Sequence, residues 1–431
     1  MAARKVAPKH PKRAPAQTSP GHRDLAVRAL LVALFLVGTA LRVANLAVPD
    51  RSPDERIYAA QARAALQGIE GTRRVVEAYR QNPQLWLYPP PTRVGYANLL
   101  AAAMKVTGVT DESAGTYLSC LAGILTLLVT IRLGLRFLGP WITVFGVLFL
   151  AVFPPELVVA RRCWTDAPVG LAGIVMLYLT LEIRAGTKTA WAAVLLPVAG
   201  SVVVLIKETT VLIYAPCLLA ALWALLGRAR NFHRAGILLA AAVTGAAGAT
   251  ALLAVPTGGL GVLFRLLIEM PRNNAVNAYA LEYCSGPPYL LPLAFWRLSP
   301  LTSTLGVLGI ALAWTRSNMR DRPAAGLLAV LTVAIAAPYA LIPHWLNLRY
   351  ASAAFAPLCL FAGLGLYQLF LLAGSRLSGK PLLPWVAVGV AALVVAFAVA
   401  DYQRFERTFV RGSTPDLSVK MVLQALDQES P

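Results

Sequence analysis

What most limits this chain is its series of apolar blocks, each about 20 residues long and set off by short polar segments. A helix of about 20 residues crosses a hydrocarbon core of roughly 30 Å. In lipid the backbone must satisfy its own hydrogen bonds, so such blocks are helices. Of the 431 residues, 58% are hydrophobic and only 14% charged, whereas a soluble domain carries roughly 25% charged residues. A soluble fold is excluded. The expected fold class is an all-α polytopic membrane protein with about eleven transmembrane helices.

The blocks place spans near 25–48, 114–135, 140–158, 166–183, 189–206, 209–226, 236–256, 298–314, 324–343, 351–373 and 383–400. One apolar segment, Tyr96 to Gly108, would cover only ~20 Å and is too short to cross. Leaving it out and placing the N-terminus inside puts five basic loops on the cytoplasmic side. These carry Arg132 and Arg136; Arg184 and Lys188; Arg228, Arg230 and Arg234; Arg316, Arg320 and Arg322; Arg376 and Lys380. Counting it as a span would reverse them all, so it is expected to lie along the outer boundary. The chain then divides into a disordered basic cytoplasmic tail (1–24), a transmembrane domain (25–400) with an outside loop of juxtamembrane helices (49–111), and a short outside tail (401–431).

The net charge of +19 fits basic helix ends beside anionic membrane lipids, with no nucleic-acid partner. Cys120, Cys217 and Cys359 fall inside apolar blocks as packing residues. Cys163 and Cys284 fall in outside loops, where a disulfide stays open, and no cysteine pair has metal-ligand spacing.

Four polar clusters share the outer rim: RSPDERIY with the later YPPPTR in the first loop, ARRCWTDAP (160–168), Lys207-Glu208, and PHWLNLRY (343–350). Charge at span level costs ~2.5–3.5 kcal/mol on insertion scales, so these residues are site candidates. Each also has a plain structural role. Ser52-Pro53-Asp54-Glu55 reads as a helix start with a capping box, which explains Glu55 better than Asp54. Asp166 can cap the fourth span with Thr165 or pair with Arg161 or Arg162. Lys207 and Glu208 can neutralise each other. Arg349 can anchor at the interface or meet a phosphate. His344 reads as a helix-end polar residue, and Tyr88 to Pro91 as a rigid turn.

In this order the clusters resemble the GT-C superfamily of membrane glycosyltransferases, near glycosyltransferase family 39, the protein O-mannosyltransferases and the aminoarabinose transferases. The likeness rests on Asp54-Glu55 followed by Tyr58, on Tyr88-Pro89-Pro90 with the short helix behind it, on Arg162 to Pro168, on Lys207 closing a span, and on Arg349-Tyr350. Where the family often has a basic residue before Pro-Pro, this chain has Tyr88.

The resemblance implies transfer, with inversion, from a polyprenyl-phosphate sugar donor to a hydroxyl or amine on a glycan, lipid or protein acceptor at the periplasmic face of an inner membrane. One carboxylate takes the acceptor proton, and cations meet the departing phosphate. Asp54 is the expected base, with Asp166 and Glu55 in support. A divalent cation (Mg or Mn) at Asp54 and Asp166 is optional. Lys207 and Arg349 are the expected phosphate ligands, with Arg161 and Arg162 in reserve and Tyr58, Tyr88, Pro90, Arg93 and Tyr350 as further substrate contacts. The rival readings are a secondary transporter, which would carry its ionisable residues at the bilayer midplane, and a non-catalytic protein that binds lipid-linked sugar.

Overall fold

The structure, a computed structural model, describes residues 20–228, 231–315, 321–377, 383–412 and 416–428. Most of the basic tail expected at 1–24 lies outside these residues, as do Arg230, Arg316, Arg320 and Lys380. The described chain is helical, with one isolated bridge between Asn347 and Ser418.

In chain order the helices begin with α1 (Pro20–Ala44), α2 (Pro53–Ala65), α3 (Ile69–Gln81), α4 (Val94–Thr107), α5 (Glu112–Leu133), α6 (Pro140–Val152) and α7 (Pro154–Arg161). They continue with α8 (Asp166–Ala185), α9 (Thr189–Ile206), α10 (Val211–Trp223), α11 (Phe232–Thr257), α12 (Leu260–Val276) and α13 (Ala278–Tyr283). The last six are α14 (Leu290–Leu298), α15 (Pro300–Thr315), α16 (Arg322–Leu341), α17 (Ser352–Leu377), α18 (Leu383–Phe405) and α19 (Val419–Gln428).

Among the described residues nine helices are long and apolar enough to cross a membrane, or ten if one bent pair counts as a span. The eleven expected spans need two corrections. The block at 140–158 is broken into α6 and α7, which meet at a bend of 56°. Pro154 has no N–H to give and its ring crowds the preceding turn, and with Pro155 directly after it the helix breaks here. The block at 298–314 becomes α15, with 16 residues short for a crossing. The segment at 96–108 forms α4, a 14-residue helix packed on α2, α5 and α9.

Helix α17 runs between α15 and α6. Small residues let the backbones close, as membrane helices require where no hydrophobic force drives them together. A Cβ on Gly309 of α15 would run into the Phe361 carbonyl, and one on Gly363 of α17 into that of Ile142. This fixes the start of α17, where Arg349 sits on a 3-10 turn at Leu348–Ala351. At the opposite end of the bundle four of the five expected basic loops meet. Arg136 pairs with Glu182 at 3.0 Å, and Arg184 with Asp321 at 3.8 Å. Arg234 donates to the Arg184 carbonyl at 2.6 Å.

The break between α6 and α7 is secured from α1. The carbonyl of Leu150 is the one a Pro154 N–H would have met, and Arg42 Nη2 donates to it at 3.4 Å. Arg42 also donates to the Gly38 carbonyl at 3.0 Å and lies 3.6 Å from Glu156 Oε1, with both side chains buried. Breaking a buried pair by removing one partner costs about 3–5 kcal/mol, because the other charge is stranded. Arg42→Met is therefore expected to lower the unfolding temperature of the detergent-solubilised protein sharply. Adding Glu156→Leu should recover most of that loss.

Candidate functional site

The start of α2 is set by local chemistry. Ser52 and Glu55 form a capping box with Pro53 at the first helical position, which satisfies the free N–H groups there. Glu55 does more than cap. It accepts from the Ser52 N–H at 2.7 Å and the Cys163 N–H at 2.9 Å. It also pairs with Arg162 at 2.6 Å and Arg51 at 3.2 Å. Fully buried, it fastens the loop between α7 and α8 onto α2.

Asp54, one position earlier, faces elsewhere. Its side chain is 26% exposed, and Arg349 Nη2 donates to its Oδ2 at 2.8 Å. Arg349 Nε lies 3.9 Å from Asp166 Oδ2, and Lys207 Nζ donates to the other oxygen of Asp166 at 2.7 Å. Four residues from four rim clusters thus form one chain of contacts, Asp54 to Arg349 to Asp166 to Lys207. Aromatic faces cover the cations. Tyr350 lies 4.1 Å from Lys207 Nζ, and Trp164 is 4.7 Å from the Arg349 guanidinium and 4.9 Å from that of Arg162. Such contacts strengthen when water is excluded. Burial pushes the Lys207 ammonium down to about 8, although Asp166 beside it pulls the other way.

Lys207 and Glu208 do not neutralise each other. Lys207 adopts extended backbone, which sends consecutive side chains to opposite sides. Glu208 instead accepts from Thr92 at 3.3 Å and pairs with Arg93 at 3.4 Å. Arg93 also donates to the Tyr58 hydroxyl, and the Tyr58 ring packs edge-on to Tyr96 with centroids 4.9 Å apart. Tyr58 and Arg93 therefore form a second polar group bordering the first. Pro90 is buried, and the carbonyl of its neighbour Pro89 accepts from Gln61 at 3.0 Å. Tyr88 is exposed.

Neither Arg161 nor Arg162 is brought to Asp166. Arg161 turns away and donates to the carbonyls of Phe409, at 3.1 Å, and Ala47. Arg162 serves Glu55. Cys163 and Cys284 are buried free thiols, so the disulfide left open does not form. Burial pushes the Cys163 thiol up to about 12, which keeps it protonated and unreactive.

A divalent cation at Asp54 and Asp166 would have to displace the Arg349 guanidinium that contacts both. Among the described residues no group of three or more His, Cys, Asp or Glu side chains is placed to hold a metal ion.

One participant was missed. Asp416, in the segment expected as a short tail, lies 3.7 Å from Arg349 Nε. It accepts from Asn347 Nδ2 at 3.3 Å, from its neighbour's N–H at 2.6 Å, and from the Tyr279 hydroxyl. Burial would raise its pKa, but Arg349 and these donors hold it below the ordinary carboxylate range. A lone acid in a polar terminal stretch carries no sequence signal of this kind.

The family described as dolichyl-phosphate-mannose-protein mannosyltransferase matches residues 91–253. Among solved structures the chain is similar to ArnT from Cupriavidus metallidurans in the apo state. That match has 16% identity, covers 94% of this chain and 75% of that one, and has a TM-score of 0.54. The same protein bound to undecaprenyl phosphate matches at 16% identity over 95% and 76%, also with a TM-score of 0.54. The archaeal oligosaccharyltransferase AglB from Archaeoglobus fulgidus, in complex with an inhibitory peptide and a dolichol-phosphate, matches at 15% identity over 90% and 56%, with a TM-score of 0.57. No curated protein sequence matches the chain.

The two adjacent acids should respond differently to neutralisation. Glu55→Gln strands Arg162 in a buried setting and should cost about 3–5 kcal/mol. Asp54→Asn, at a partly exposed pair, should stay within about 1 kcal/mol. Thermal unfolding of both variants in one detergent checks the difference.

Proposed function

We propose that this multi-pass membrane protein, which has the fold of the GT-C glycosyltransferases, moves a sugar from a polyprenyl-phosphate donor to a hydroxyl or amine acceptor with inversion. The observation that carries the proposal is the run of contacts at one end of the bundle. There a partly exposed carboxylate, Asp54, contacts one enclosed cation, Arg349, which Asp166 links to a second, Lys207. The basic loops at the opposite end support an outward-facing site, a cytoplasmic N-terminus and location in the inner membrane. A phosphate site with a lipid-facing approach also suits the solved relatives bound to undecaprenyl phosphate and dolichol-phosphate.

In this reading Asp54 accepts the proton of the acceptor hydroxyl or amine as its oxygen or nitrogen attacks the anomeric carbon. The bond from that carbon to the phosphate oxygen breaks, and the electron pair leaves with the phosphate. The leaving group is a stable anion and needs no acid, so one carboxylate is enough, unlike the two used in glycoside hydrolysis. Lys207 and Arg349 neutralise the phosphate in a site that excludes water, where their charge is most effective. Asp166 contacts both cations and sets their spacing. Glu55 holds α2, and so Asp54, in place without touching substrate. Tyr58, Arg93 and Tyr350 border the sugar.

An apolar cavity of about 190 Å³ lies among α8, α9, α10 and α11 and reaches Val203 and Tyr214 below Lys207. Its lining is almost entirely hydrocarbon, as an isoprenoid tail requires. A transporter would carry its ionisable groups at the midplane, whereas these sit together at helix ends. A non-catalytic protein that binds lipid-linked sugar would also use the two cations, and Asp54 separates it from an enzyme.

Asp54→Asn is expected to lower sugar transfer by about 10²–10⁴-fold, the range of general-base catalysis, while polyprenyl-phosphate binding persists. Transfer of labelled sugar from a lipid-linked donor in membranes checks this, and unchanged transfer would remove Asp54 as the base. The pH profile gives a second test. Lys207 is useful only when protonated, so kcat/KM should fall as pH rises through about 8. Lys207→Arg, whose guanidinium stays charged, should carry activity further into the alkaline range.

A further inference from the structure

The C-terminal segment folds back onto the site end of the bundle. The Leu348 N–H donates to the Leu417 carbonyl at 2.9 Å, and the Val419 N–H to that of Leu346 at 3.0 Å. These bonds make a short antiparallel clip around Asn347 and Ser418. Beyond it α19 lies on α14, with Val419, Val422 and Leu426 buried and Arg297 paired with Asp427. The clip leaves Asp416 on the Nε side of Arg349, while the Nη2 side of the same guanidinium serves Asp54. Tyr279 of α13 and Asn347 donate to Asp416 and fix its carboxylate.

We propose that Asp416 is a positioning residue, contributed by the C-terminal segment, that orients the Arg349 guanidinium for the transfer reaction; this rests on the function proposed above. A planar guanidinium with five N–H donors can turn to meet its carboxylates in several ways. Asp166 and Asp416 both face the Nε edge, at 3.9 and 3.7 Å, but Asp166 is also held by Lys207 at 2.7 Å, so without Asp416 the pull on this edge weakens and the fork can turn further onto Asp54. That arrangement would tie up the carboxylate that takes the proton. Asp416 adds its charge to that of Asp166 on the Nε edge, and Arg349 meets Asp54 through one nitrogen, Nη2. The link through Tyr279 also ties this orientation to the α12–α14 connection.

The test uses the full-length protein in membranes, with a short-chain polyprenyl-phosphate mannose as probe donor and release of polyprenyl phosphate as the readout. Asp416→Asn keeps the shape and hydrogen-bonding reach of the side chain but removes its charge. It is expected to lower kcat about tenfold with KM for the donor changed less than about twofold, and Asp416→Glu should restore part of the rate. In an Arg349→Lys background, which has no Nε, the same Asp416→Asn change should cost less than about twofold, because residues acting as a unit are not additive. A full tenfold loss in both backgrounds, or none in either, would overturn the proposal. A structure of the Asp416→Asn protein by electron cryomicroscopy decides independently of turnover. The Arg349 guanidinium is expected to rotate toward Asp54, and an unmoved guanidinium would overturn the assignment. If the wild-type protein releases no polyprenyl phosphate from this donor, mannose is not the sugar it transfers and the cryomicroscopy result alone judges Asp416.

Discussion

The guanidinium of Arg349 joins groups that the chain supplies from widely separated places. It reaches Asp54 from the start of α2, Asp166 from the start of α8 and Asp416 from beyond the last long helix. A charge in a low-dielectric setting is tolerated only where opposite charge and hydrogen bonds replace water. Here Arg349 is what allows three carboxylates to approach one another, and they in turn allow it to be buried. The helices that deliver them are packed tightly enough to keep the ends aligned. Gly309 and Gly363 let α17 close on α15 and α6, and α17 begins one turn after Arg349.

The same rule explains the division of labour between neighbours. Asp54 and Glu55 are adjacent in sequence yet face opposite surroundings, because consecutive helical positions point about 100° apart. Glu55 is enclosed by five donor groups, the N–H and hydroxyl of Ser52, the Cys163 N–H, Arg51 and Arg162, and does structural work. Asp54 has a single cationic partner and remains accessible. Lys207 and Glu208 part for a different reason, the extended backbone at the end of α9. One member of each pair joins the contacts around Arg349 and Asp166, and the other ties neighbouring elements together.

Much of this was legible in the sequence, for reasons that can be named. Long apolar runs have one stable form in lipid, so the helical bundle and most of its spans could be read directly. Charges at helix ends are costly, which drew attention to Asp54, Asp166, Lys207 and Arg349, and these do meet. What depends on side-chain direction was not legible. Arg161 and Arg162 look alike in ARRCWTDAP, yet one turns to the carbonyls of Ala47 and Phe409 and the other to Glu55. The break at Pro154 hid inside a block of unbroken hydropathy, since composition does not register a missing N–H. Asp416 was invisible because its partners arrive only when the terminal segment folds back, an event with no periodicity to mark it.

The central claim is that the group of contacts around Arg349 holds a lipid phosphate between Lys207 and Arg349, with Asp54 facing the sugar it carries. A structure of the protein by electron cryomicroscopy with undecaprenyl phosphate bound tests it most directly. The account predicts phosphate oxygens within hydrogen-bonding distance of both Lys207 Nζ and the Arg349 guanidinium, and the isoprenoid chain entering among α8 to α11. A phosphate held at the opposite end of the bundle, or one touching neither cation, would contradict it.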